Sequence, residues 1–388
     1  MTGKIALLIG TRKGAWGLES RLDKQGLPGP WQLVGPQHLG SVVSHIVADP
    51  RKAGYQLMSV GSGHLGPSVF LSSDAGASWT EAKTPPAFSP VATETCEARS
   101  VDHVFWLTPG HASTPDVWYA GTSPQGLFRS DDAGNSWQEV AGFNHHPDFF
   151  QWRGGDKDGT PDGPKMHSII VDPADREHLI VGMSGGGIFE SHDEGLTWKA
   201  LNKGVAMDFY PPKDDGSEYE FGHDPHCIVM HPIHTHRLYH QNHCGLYRMD
   251  RDVSDVWQRI GNHLPKEVGD IGFPILVHPT DPDCIWVFPM DGSGLWPRTS
   301  PDGKPAVYCS RDGGASFVRQ DQGFPAAQAW WTVKRQAMAL DINDAGTVSV
   351  FLGNTQGQIW GSFDNGDHWQ CLVNDLPHIY AIEVVRLP

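Results

Sequence analysis

SSDAGASW, residues 72–79, is one of several versions of the same phrase in this chain. It returns as SDDAGNSW at 130–137, SHDEGLTW at 191–198, SRDGGASF at 310–317 and SFDNGDHW at 362–369, with a decayed copy, DRDVSDVW, at 250–257. The shared pattern is S-x-D-x-G-x-[ST]-W. Its aspartates, Asp74, Asp132, Asp193, Asp252, Asp312 and Asp364, stand about 58 residues apart, so about seven such units fill the 388 residues.

The surroundings of the phrase recur as well. An apolar run ending in Asp-Pro or a variant precedes it: HIVADP (45–50), HVFWLTP (103–109), HSIIVDP (167–173), HCIVMHP (226–232), FPILVHP (273–279) and QAMALDI (336–342). A second strand, a Gly-rich turn and a third strand follow, the phrase turns the chain, and its Trp opens a fourth strand. Four short strands per unit, repeated, predict an all-β fold: a single seven-bladed β-propeller spanning 1–388. Strands within 1–36 supply three members of the last blade, and residues 378–388 supply its inner strand, which closes the ring without an open edge.

The phrase resembles the Asp-box, or BNR repeat, of sialidase-like propellers, and the match runs along essentially the whole chain. The resemblance implies the propeller fold with Asp-box turns. It also implies a structural role for the phrase, whose Asp and Ser bond turn amides, whose Gly takes positive φ and whose Trp packs between blades. Sialidase chemistry in that family needs three Arg around a carboxylate and a Tyr–Glu pair. This chain has no Arg-Ile-Pro phrase near its start, and its inner strands open on His rather than Arg.

Composition narrows the function. The net charge of −16 argues against nucleic acid and anionic membranes as partners, and no apolar run approaches the length of a membrane span. The six cysteines lack CxxC spacing, and the first residues lack the apolar core of a leader, so a reduced, cytoplasmic protein is expected. The 21 histidines are the excess that the repeat does not explain.

Counting back five residues from Thr108, Asp172 and His231 reaches His103, His167 and His226, one at the same register of three successive inner strands. His243 lies in the second-to-third strand turn of the same blade as His226. These four predict a divalent transition metal (Zn, Fe, Mn, Ni or Cu) at the mouth of the central channel, because imidazoles with an open position suit catalysis. His223 faces the other way by strand alternation and is left out. Arg335, Glu97 and His45 are the candidate catalytic groups. Arg12, Arg99, Trp152 and Trp331 are the candidate substrate contacts, as clamps and stacking walls. The expected function is metal-dependent hydrolysis or lysis of a small polar or sugar-like substrate. The alternatives are a non-catalytic binding scaffold and a metal-free sialidase-like glycoside hydrolase.

Overall fold

A computed structural model describes residues 3–63, 66–89, 99–153, 163–208, 210–291 and 298–387. They form seven four-stranded sheets, and the chain is an all-β, seven-bladed propeller. Among the described residues no helix is long and apolar enough to cross a membrane.

Backbone contacts divide the chain into two compact units, Met1–Ala48 with Ile260–Pro388, and Asp49–Arg259. In the first, the strands Lys4–Thr11, Gly14–Leu22 and Pro28–Gln37 make three members of a sheet, and Ile379–Leu387 pairs antiparallel with Lys4–Thr11 as its fourth. The expected closure of this blade by the chain's last strand is therefore observed. The unit's core gathers Trp286, Phe288, Phe324, Trp331, Phe351, Trp360 and Trp369 around the aliphatic face of these strands.

The second unit holds three complete blades, whose inner strands are His103–Pro109, Met166–Val171 and Pro225–Met230. Between successive blades lie apolar layers. Leu127, Phe143, Trp152, Leu179, Phe189 and Trp198 form one, and Ile180, Ile188, Ile228, Leu238, Tyr247 and Trp257 form the next.

The recurring phrase builds one turn five times. In the first copy Ser72 Oγ accepts the Gly76 N–H at 2.9 Å and donates to Asp74 Oδ1 at 2.8 Å. Asp74 then accepts the Ser78 N–H at 2.9 Å and the Ser78 hydroxyl at 2.6 Å. The same carboxylate cage recurs at Asp132, Asp193 and Asp312, and at Asp364 with the His368 ring in place of the hydroxyl. Two successive residues take left-handed φ, as at Ala75 (58°) and Gly76 (85°), and glycine at the second tolerates this without strain. Bonding to the Ser78 hydroxyl, above all, lowers the Asp74 carboxyl to about 2, and Ser316 does the same for Asp312. The copy at 250–257 has Asp250 in place of Ser, and Arg237 Nη2 bonds it at 2.8 Å instead.

Candidate metal centre

The inner strands of the second unit are not regular at the end where the histidines fall. Each carries one extra residue, at a different place. Val104 pairs with Thr122 and Trp106 with Gly121, so Phe105 is extra. His167 pairs with Gly182 and Ile170 with Ile180, and the insertion follows His167, with Ser168 at φ 50°. Pro225 pairs with Asn242 and Cys227 with Gln241, so His226 is itself the bulged residue. A bulge bends the strand and re-aims the side chain next to it. Histidines at one sequence register therefore leave their strands in different directions.

The three rings end in different surroundings. His103 lies half-buried, with Nδ1 2.6 Å from Asp102 Oδ2 and its ring centroid 6.0 Å from that of Phe105. His167 is fully buried beside Trp106, 6.5 Å between ring centroids, with Nδ1 2.9 Å from Ser168 Oγ. It packs on the bare Cα of Gly182, where an added Cβ would come within 2.9 Å of His167 Cε1. His226 turns instead toward Asp224 and His243.

Asp224, His226 and His243 come together. Asp224 immediately precedes the strand Pro225–Met230, and the bulge at His226 lets that ring turn back toward it. His243 is brought in by the turn after Arg237–Asn242, where its N–H donates to the Asp224 carbonyl at 3.0 Å. Asp224 Oδ2 stands 3.5 Å from both His226 Nε2 and His243 Nδ1. The two rings meet edge to face, 5.7 Å apart, and the three ligand atoms all lie within 4.8 Å of one another. His226 is buried, while Asp224 and His243 are partly open to solvent.

A separation of 3.5 Å is longer than a good N–H···O bond. It matches the edge of a tetrahedron of ligands about 2.1 Å from a central ion, about 3.4 Å. One carboxylate and two imidazoles suit Zn²⁺ or Fe²⁺ and leave positions for water or substrate. His103 and His167 are not members of this group. Asp224 is the member that counting missed, although its place two residues before His226 was visible in the sequence.

Two neighbouring histidines stay outside the group. His223 Nε2 is 2.8 Å from the Tyr219 carbonyl, and burial lowers its ring below the ordinary imidazole range. His240 is buried completely, and burial lowers its ring well below that range.

The remaining candidates are dispersed. Glu97 lies outside the described residues. Arg99 is sandwiched over the rings of Phe88 (3.9 Å) and Phe149 (4.7 Å), and its Nη1 donates to the Gln125 carbonyl at 2.7 Å. Trp152 is core rather than a pocket wall. It packs on Phe189 at 4.3 Å, and His146 stacks on it at 4.0 Å. In the first unit Trp331 is likewise internal, 3% exposed against Phe324 and Trp360, whereas its neighbour Trp330 is 48% exposed. His45 is buried, and desolvation lowers its ring to about 3, so it is neutral near pH 7 and cannot donate a proton there. Arg335 lies over Phe273 at 5.2 Å, and Arg12 sits exposed in its turn.

No protein-family model matches the chain. It is 23% identical over 320 residues to a Neosartorya fischeri protein described as a probable oligoxyloglucan-reducing end-specific xyloglucanase, covering 76% of this chain and 36% of that protein. Among solved structures it is similar to the GH74 xyloglucanase of Xanthomonas campestris, with a TM-score of 0.60, 18% identity, and coverage of 95% of this chain and 54% of that one. The GH74 enzyme of Niastella koreensis gives a TM-score of 0.60 and 17% identity, covering 95% and 52%. The chain thus spans about a third of the curated relative and about half of each of these structures.

Proposed function

We propose that this chain is a hydrolase acting on a carbohydrate or a similar polyhydroxylated substrate, with a divalent transition metal (Zn, Fe, Mn, Ni or Cu) held by Asp224, His226 and His243. The observation that carries the metal is the pair of 3.5 Å separations from one carboxylate oxygen to two imidazole nitrogens. The substrate class is supported by the likeness to proteins described as xyloglucanases.

A cation there would supply Lewis-acid polarisation and a more acidic bound water. The chain's own part is to orient the donors. Pro225 stiffens the link between Asp224 and His226, and the His243 N–H holds its turn against the Asp224 backbone. The partly open Asp224 and His243 leave a side from which a small substrate can approach.

The test is elemental analysis of protein purified without a histidine tag, followed by hydrolysis assays on xyloglucan oligosaccharides with and without a chelator. About one metal ion per chain and chelator-sensitive sugar release are expected. Substoichiometric metal that Asp224→Ala leaves unchanged would end the metal reading. Metal without sugar release would end the substrate reading.

A further inference from the structure

The turn that delivers His243 is tied to a buried imidazole through one amide. Asn242 Oδ1 accepts the Cys244 N–H at 2.8 Å, which fixes the oxygen end of that side chain. Its Nδ2 end then faces His240 Nε2 at 3.3 Å and can only donate. His240 Nε2 is therefore the acceptor in this contact. The ring is held in place by Tyr247 and Trp257, with centroids 5.7 and 5.2 Å away. Both Asn242 and His240 are buried. The Asn242 side chain thus bridges the His240 ring and the Cys244 N–H.

We propose that His240 and Asn242 are positioning residues for the metal centre, locking the turn Asn242–Gly245 so that His243 Nδ1 stays beside Asp224 Oδ2. The inference rests on the metal reading above. Neither residue touches the ion. They act through the backbone of a short turn that is also tied by the His243 N–H to the Asp224 carbonyl, by the Tyr247 hydroxyl to the Cys244 carbonyl at 2.8 Å, and by Gln241 Nε2 to the Asn242 and Gly245 carbonyls at 3.3 and 3.2 Å. Without the Asn242 oxygen, the Cys244 N–H loses its acceptor in a buried place, and the turn gains by rearranging. Without His240, the Asn242 amide can rotate and release the same N–H. Outer-shell partners of this kind tune affinity strongly even though they bind no metal.

The experiment compares Zn²⁺ affinity, by competition with a chromophoric chelator, and the Co²⁺ ligand-field spectrum. The proteins are the wild type, Asn242→Ala, His240→Phe and the double variant. Asn242→Ala is expected to weaken Zn²⁺ about 10- to 100-fold and to alter the Co²⁺ bands. His240→Phe, which keeps the ring volume, weakens it less. The double variant is no worse than Asn242→Ala alone, because the two residues act in series. Should Asn242→Ala fail to fold, His240→Phe carries the same test. Wild-type affinity and spectrum in a folded variant, or losses that simply add, would overturn the proposal and leave the metal centre standing. A wild type that binds neither ion would overturn both.

Discussion

Arg251 closes over Glu190, a carboxylate with no solvent exposure on the strand Gly187–Ser191 of the preceding blade. Glu190 also receives Lys199 at 3.2 Å and His192 at 3.3 Å, and His178 bridges it at 2.9 Å to Asp172 at 2.8 Å. The rings of His178 and His192 stack 4.5 Å apart. Within it Glu190, His178 and His192 make an acid and two histidines, as in the candidate centre. Here, however, cations already satisfy the acid, which makes it a clamp between blades.

Removing Arg251 takes one of two full cations from a buried carboxylate and leaves it with Lys199 alone. Arg251→Ala is therefore expected to destabilise the fold by about 3 kcal/mol, measured by urea unfolding. The double change Glu190→Gln with Arg251→Met lies closer to the wild type. A single-variant loss below about 0.5 kcal/mol would show that Lys199 and His178 suffice for Glu190.

His45 gives a pH dependence whose sign follows from its environment. Burial lowers its folded-state pKa from 6.5 to about 3, so the folded protein resists protonation more than the unfolded chain does. Its contribution is fully present above about 6.5 and is lost as pH falls toward 3. Between pH 7 and pH 5 the wild type should lose about 2 kcal/mol through this group, a loss absent in His45→Gln. Identical pH profiles of unfolding free energy for the two proteins would refute this.

The adjacent tryptophans should separate cleanly. Trp331→Ala empties a packed aromatic site and is expected to cost about 3–5 kcal/mol. Trp330→Ala removes a half-exposed ring and should leave the thermal midpoint almost unchanged. Equal losses would contradict the packing described for Trp331.

Metal content should discriminate among the histidines. Asp224→Ala and His243→Ala are expected to abolish bound metal, whereas His103→Ala and His167→Ala retain it. His167→Ala should lower thermal stability, because its ring fills a closed site beneath Gly182 and Trp106. Metal lost on changing His103, and kept on changing Asp224, would place the ion elsewhere.

The blades were legible because their turns are local. Ser72, Asp74, Gly76 and Ser78 encode one loop within seven residues, and each copy announces itself. The histidine register was not legible, because the insertions at Phe105, after His167 and at His226 carry no marker. Ser168 adopts left-handed φ without being glycine. Counting therefore assumed a regular strand where none exists. Trp330 and Trp331 show the same limit, since neighbouring residues face opposite ways and sequence does not say which way is inward. Trp152 escaped because it sits on the short helix Phe149–Trp152, folded onto the core rather than extended over a rim.

The pairing of Lys4–Thr11 with Ile379–Leu387 has a consequence for biosynthesis. Lys4–Thr11 leaves the ribosome well before Ile379–Leu387, and its sheet stays incomplete until the later strand arrives. At ordinary elongation rates that wait lasts roughly 20 s to a minute. During it, an apolar β-edge stands open to any other nascent chain. Cellular yield of this protein should accordingly depend on holding chaperones in a way that refolding of the finished chain from dilute denaturant does not.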